Sequence, residues 1–287
     1  MELKKPTTYE EQVSLLIEKG IVINDYDDCK AFLSRVNYYY FSGFILPFLD
    51  RKTDKCILPV TFERLRGLYE FDAELRNLIS FIVERIELFL RNKLSYYHAH
   101  KYGAEGYLLE DAFGSKHKKE RFEKIIQKCI SDHKNTAIVK HHQTKYGGHY
   151  PIWVIMEFLP VGSLSYFYSD MKNHDKKYIA EESYGVNYQV LESWMRCITD
   201  LRNKCAHCSR LYYWVFSAIP KMPRNVEYVQ ERRLFSQLYM LKMMYPESEK
   251  WESHFLDKFE ALVDRYSGVI NPVHLGMPDN WRELLKG

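Results

Sequence analysis

The chain has 287 residues, 46% of them hydrophobic, with 23 Tyr and 16 Phe but only 13 Gly and 10 Pro; this excludes a disordered or low-complexity polymer and fits an ordered globular protein. No run approaches the roughly 18 apolar residues of a membrane span. A net charge of +3 excludes a broadly basic nucleic-acid binder, so any basic footprint must be local.

In chain order, Thr8 to Lys19 has a capping Thr, a Glu three residues on and apolar Val13, Leu15 and Leu16, which predicts a helix ended by Gly20. Asp25 to Val36 predicts a second, short helix. The run Tyr38-Tyr39-Tyr40-Phe41-Ser42-Gly43-Phe44 is too aromatic for a solvated loop and is expected to be a buried connection. Thr61 to Tyr102 is the longest helical signal. Leu65, Leu68, Phe71, Leu75, Leu78, Ile82, Ile86, Phe89 and Lys93 follow steps of three or four. On its flank Glu87 and Arg91 are four apart and can pair.

Ser115 to His149 is polar and rich in Lys and His. Arg121 to Ser131 fits a helix, and Lys140 to His149 is expected to be an exposed loop. Pro151 to Asp170 turns apolar again, with a break expected at Pro160 and Gly162 and a short helix over Leu164 to Met171. Val190 to Trp214, Glu231 to Met244 and Trp251 to Tyr266 predict further helices before the tail Gly276-Met277-Pro278 and Trp281. Strand signals are few and there is no internal repeat, so the class is all-α, a helical bundle. The expected division is an N-terminal helical module over 1–60, a bundle over 61–218 and a C-terminal helical extension over 219–287.

The chemistry concentrates in Val190 to Tyr212. One stripe, Leu191, Trp194, Ile198, Leu201, Cys205 and Cys208, has the spacing of a core face. A second stripe, Arg196, Thr199, Asn203, His207 and Arg210, is polar throughout. Arg202 lies between them, with a side chain long enough to reach the polar one. Arg202 and His207 form an R-x4-H pattern. In phosphodiester cleavage the 2′-hydroxyl loses a proton and the 5′-oxygen gains one, and histidine can do either. Arginine can stabilise the charge of the phosphorane, and Asn203 can orient the histidine or hold a phosphate oxygen. The bland alternative is a solvated helix face, because Arg and His are common there.

Other constellations carry less. Cys205, His207 and Cys208, with Cys197 two turns earlier, make zinc conceivable, but there is no second C-x2-C, and buried structural thiols are the better reading. His141, His142 and His149 lie in the polar segment, either a solvated loop or a loop that contacts RNA. No phosphate-binding glycine loop and no metalloprotease motif is present. The six cysteines, at 29, 56, 129, 197, 205 and 208, are scattered, and the opening Met-Glu-Leu-Lys-Lys-Pro lacks an apolar h-region. Free thiols in a cytoplasmic protein are therefore expected.

Leu201-Arg202-Asn203-Lys204-Cys205-Ala206-His207-Cys208-Ser209-Arg210-Leu211 resembles the signature of the Abi-like (abortive infection) bacterial proteins, members of the HEPN superfamily of helical ribonucleases. Further blocks agree in order. They include Lys5-Pro6-Thr7 with Gln12 and Leu16, Val36-Asn37-Tyr38-Tyr39 with Ser42-Gly43 and Pro47-Phe48, and Leu68-Tyr69-Glu70-Phe71-Asp72 with Leu75-Arg76. Arg85-Ile86-Glu87 with Arg91, Pro151-Ile152-Trp153 with Glu157 and Gly162-Ser163-Leu164, and the tail also match.

The resemblance implies a metal-independent endoribonuclease of phage defence that needs no cofactor and leaves a 2′,3′-cyclic phosphate and a 5′-hydroxyl. The family's site is composite, with two R-x4-H motifs facing across an interface. One clear copy per chain implies a homodimer, since Arg91 to His98 has the wrong spacing, R-x6-H. It also implies Arg202, Asn203 and His207 as catalytic residues. Glu87, Arg91 and Arg210 would line the RNA groove, and a regulatory RNA or an antitoxin protein is a possible partner. The family usually has Trp-Asn after the motif's Arg-Leu, whereas Tyr212-Tyr213-Trp214 follows here, which puts that Asn's contribution in doubt. A catalytically silent RNA-binding module and a protein-interaction module are the alternatives. Cleavage and gel-shift assays separate them.

Overall fold

The computed structural model describes residues 5–50, 52–224, 226, 228 and 230–287; the opening Met-Glu-Leu-Lys lies outside them. Among the described residues there are thirteen α-helices and four two-residue strands, so the protein is all-α. No helix among them is long and apolar enough to cross a membrane.

Helix α1 (Tyr9–Glu18) starts at the predicted capping box, with Thr8 and Glu11 each bonding the other's backbone N–H. Strand β1 (Ile21–Val22) and α2 (Tyr26–Leu33) follow, the latter capped by Asp25. The aromatic run is a short helix, α3 (Tyr38–Ser42), leading into a 3-10 turn over Gly43–Phe48. It is only partly the expected buried connection. Phe41 and Phe44 are buried, but Tyr39 is 88% exposed, because a helical turn sends neighbouring residues to different sides. Strand β2 (Leu49–Asp50) pairs antiparallel with β3 (Lys55–Cys56), and β4 (Val60–Thr61) pairs parallel with β1.

Helix α4 (Phe62–Tyr102) has 41 residues and would span about 60 Å if straight. Thr61 caps it and Gly103, at φ +86°, ends it. The core stripe departs from the sequence reading after Leu75. It runs through Ile79, Ile82, Ile86, Leu90 and Leu94 rather than Leu78, Phe89 and Lys93. A strict alternation of three and four drifts off a 3.6-residue turn, and the buried set follows the helix. Lys93 lies over the Phe89 ring instead, its Nζ 5.4 Å from the ring centre.

Helix α5 (Lys119–Asp132) matches its expectation. The Lys140–His149 segment does not: Thr136 caps α6 (Ala137–Lys145), which buries Val139 and His142, and the chain turns only at Gly147 and Gly148. No Gly or Pro interrupts 136–146, and one buried Val anchors the turn. Helix α7 (Ile152–Phe158) stops before Pro160, but α8 (Val161–Asp170) begins straight after it, with Gly162 inside. A Cβ at Gly162 would lie 3.6 Å from Thr199, so this glycine sits at the α8–α10 contact. Helix α9 (Asn173–Tyr184) had no clear sequence signal. Helix α10 (Tyr188–Ala206) carries the motif, followed by α11 (Leu234–Met244), a π-helical turn over Glu252–Leu256, α12 (Asp257–Arg265) and α13 (Trp281–Leu285).

Helix α4 is the axis of the bundle, in contact with α7, α8, α9, α10, α11 and α12. One buried apolar cluster runs from Val13 to Leu285 through all of these elements.

Candidate functional site

The motif helix is built as its core stripe predicts, up to a point. Asn187 caps α10, and Leu191, Trp194, Ile198, Leu201 and Cys205 are buried. Thr199, on the predicted polar stripe, is half-buried and faces Gly162, so that stripe is not one solvated face. The helix ends at Ala206, eight residues before the predicted Trp214. Cys208 takes a left-handed φ of 52° and donates its N–H to Cys205 O at 3.2 Å, while Ser209 N–H reaches Lys204 O at 2.8 Å. This is the Schellman arrangement, here built on a non-glycine residue.

Two predicted stripe members therefore leave the helix, and a third, His207, becomes its C-cap. Cys208 is exposed rather than part of the core face. Arg210 lies in the following segment, where its guanidinium donates to Gly43 O and sits 5.9 Å from the Phe44 ring. The cause is Asp72 of α4, fully buried. Its Oδ1 accepts Leu211 N–H at 2.9 Å and Tyr212 N–H at 2.6 Å, while Arg76 donates to Oδ2. Burial pushes the Asp72 carboxyl up to about 6, against the pull of Arg76 and the two amides. Inside a continuing helix both amides would be bonded to carbonyls four residues back, so their capture by Asp72 goes with a helix that ends before Leu211.

Tyr212, in the position of the family's Trp, is buried. Its hydroxyl accepts Asn271 N–H at 2.9 Å and lies 2.8 Å from His274 Nδ1. Lys204 stacks on Trp214, its Nζ 4.0 Å from the ring centre.

Helices α4, α7 and α10 enclose a groove of roughly 390 Å³ lined by Glu84, Glu87, Leu88 and Arg91, by Glu157, and by Arg202 and Ala206. Arg91 is fully engaged there: it pairs with Glu87 and donates to Met156 O and to Leu159 O, the latter at 2.8 Å. It ties α7 to α4. Arg202 Nε lies 3.8 Å from Glu87 Oε2, and its Nη1 approaches Asn203 Oδ1 at 3.5 Å. Its side chain is 41% exposed, so the guanidinium keeps open faces.

His207 is the C-cap. Its backbone N–H donates to Asn203 O at 2.9 Å, its side chain is exposed, and among the described residues its ring makes no hydrogen bond. Helical spacing sets it about 40° from Asn203 and about 140° from Arg202 around the axis. One chain thus places Arg202 at the groove, Asn203 beside it, and His207 at the open helix end. Arg210 stays outside the groove.

His98, the histidine of the R-x6-H pattern, is fully buried among Tyr102, Phe113 and Phe167, and neither ring nitrogen has a partner among the described residues. Burial pushes it down to about 4, so it stays neutral in the core. Cys197 and Cys205 are buried thiols, pushed up to about 11 and about 12. No group of three His, Cys, Asp or Glu side chains among the described residues is placed to hold a metal.

Glu84 and Leu88 also line the groove, although neither stands out in the sequence as a site residue. The signal for Leu88 was its position, an apolar residue off the core stripe of α4.

The family model described as Abi-like protein matches residues 31–213, well over half of the chain and inclusive of α4, α7 and the whole of α10. No curated protein and no solved structure matches.

Proposed function

This chain belongs to the Abi-like protein family, and on that premise we propose that it is a metal-independent RNA endonuclease of phage abortive infection, with a HEPN-type bundle acting as a homodimer. The observation that carries this reading is the contrast among the cations singled out in the sequence. Arg91 and Arg210 are spent on backbone carbonyls, while Arg202 keeps an open guanidinium and His207 an unbonded, exposed ring. Residues kept for internal structure resemble the first pair; residues kept for a ligand resemble the second.

In the proposed reaction one His207 takes the proton of the RNA 2′-hydroxyl as that oxygen attacks phosphorus. The 5′-oxygen leaves with a proton from His207 of the second copy, giving a 2′,3′-cyclic phosphate and a 5′-hydroxyl. Arg202 stabilises the phosphorane charge, Asn203 positions the phosphate or the ring, and Glu87 positions Arg202. Two histidines are needed and each chain supplies one. The rim of the groove favours a second copy as neighbour, because Leu88 is 53% exposed there and Trp153, one turn before Glu157 on α7, is 52% exposed. The test is cleavage of unstructured RNA in EDTA, with His207→Ala as control. Activity that is lost in EDTA and restored by magnesium, or that persists in His207→Ala, overturns the reading.

A further inference from the structure

We propose that the cavity between α8, α9 and the first half of α10 is a binding site for a nucleoside polyphosphate, separate from the RNA groove. It has a volume of roughly 560 Å³, within the usual range for small-molecule sites. Lys116, Lys172, Lys176, Arg196 and Lys221 line it, against only two carboxylates, Asp170 and Glu192.

The two carboxylates are already engaged. Asp170 pairs with His117 Nδ1 at 3.2 Å. Glu192 accepts from Ser169 Oγ at 3.2 Å and faces Lys176 Nζ at 3.5 Å. By contrast, among the described residues Lys116, Lys172, Arg196 and Lys221 form no ion pair. Lys116, Arg196 and Lys221, from three separate stretches of chain, therefore converge on one cavity with their charge unanswered, while the Lys172 ammonium at its edge lies 5.9 Å from the Tyr102 ring; an anion taken up there relieves the repulsion among them.

The cavity is built rather than incidental. Lys176, almost fully buried, contributes its ammonium to the wall and is held by Ser169 O at 3.1 Å. The segment bearing Lys221 is pinned to α10 twice: Trp194 Nε1 donates to Lys221 O at 2.6 Å, and Lys221 N–H donates to Ser193 Oγ at 3.0 Å. The first turn of α9 opens into the same space; its N-cap residue Lys172 supplies no side-chain acceptor, and the buried Asp175 of that turn is already bonded to Tyr97, Lys101 and Tyr102.

A single phosphate would leave most of this volume empty. A polyphosphate answers several cations at once, and the half-buried Tyr188 ring with Gln189 beside it offers a wall and a polar edge for a base and sugar.

The test is calorimetric titration of the full chain with ATP, GTP and inorganic triphosphate, repeated on Arg196→Glu and Lys116→Glu. Both residues are exposed and lie on different elements, so neither change burdens the fold. The expected result is saturable binding of at least one nucleotide, about tenfold tighter than inorganic triphosphate and weakened about tenfold or more by each variant. No binding, equal binding of inorganic triphosphate, or binding undiminished in both variants overturns the proposal. Binding only of an RNA oligonucleotide with a 5′-triphosphate also overturns it, and makes the cavity part of RNA recognition. The readout is independent of cleavage, so it stands whether or not the chain proves to be a nuclease.

Discussion

Asp72 Oδ1 accepts the backbone N–H of Tyr212 at 2.6 Å across 140 positions of sequence. This bond, with its neighbour at Leu211, sets the path of the chain just after the motif helix. It decides that His207 caps the helix in the open, and that Arg210 turns back toward Gly43.

The first prediction separates two sides of α10. His207→Ala and Arg202→Ala should each lower RNA cleavage by about 10²–10⁴-fold. Each should leave thermal stability within about 0.5 kcal/mol, because both side chains reach solvent. Leu201→Ala, in the core, should instead cost about 2–5 kcal/mol. Denaturant melts and initial cleavage rates on the same samples check it. Unfolding of His207→Ala returns that residue to a structural role.

Arg210→Ala should act on stability. Its loss strips Gly43 O of a donor and removes a charge from beside the buried Asp72, which predicts a cost of about 1–3 kcal/mol. Cleavage measured well below the melting temperature should change little. A large fall in cleavage with an unchanged melt would place Arg210 in the RNA groove after all.

Cys208 pays for its left-handed backbone. Cys208→Gly should gain up to about 1 kcal/mol, and Cys208→Val should lose about 1–2 kcal/mol, since a β-branched residue fits that region worst. Equal stability of the two variants in urea would show that the turn does not hold this geometry.

Burial of His98 makes stability depend on pH. Its folded value, about 4, is depressed below the unfolded value of about 6.5, so the unfolded chain takes up the proton first. The contribution is complete above about 6.5 and is lost as pH falls toward 4. Asp72 titrates in the same window with the opposite sign, because its folded value is raised. The comparison is therefore made between the parent and His98→Phe. From pH 7 to pH 4.5 the parent should lose about 2–3 kcal/mol more than the variant in urea melts. Parallel curves would show that His98 is not held neutral.

The dimer is tested at the groove rim. Leu88→Glu, at a site already exposed in the single chain, should keep the fold, give a monomer by light scattering and lose cleavage. A monomeric parent that still cleaves RNA removes the composite site.

By itself, the sequence determined the motif and most of the helices, though not α6 or α9. Thr8 with Glu11 marked the start of α1, Thr61 and Gly103 bracket α4, and the apolar steps of Leu191, Trp194, Ile198 and Leu201 marked the buried side of α10. These are local signals, carried by residues within a turn or two of one another. The tertiary structure alone decided where α10 stops, because the carboxylate that captures Leu211 and Tyr212 comes from α4. It decided that Arg91 and Arg210 serve backbone carbonyls on other elements, and that His98 is sealed among rings from three segments. Helical periodicity can say which residues share a side of one helix. Which partner from elsewhere claims them depends on contacts that close only when the bundle packs, and the division between structural and open cations at this site is of that kind.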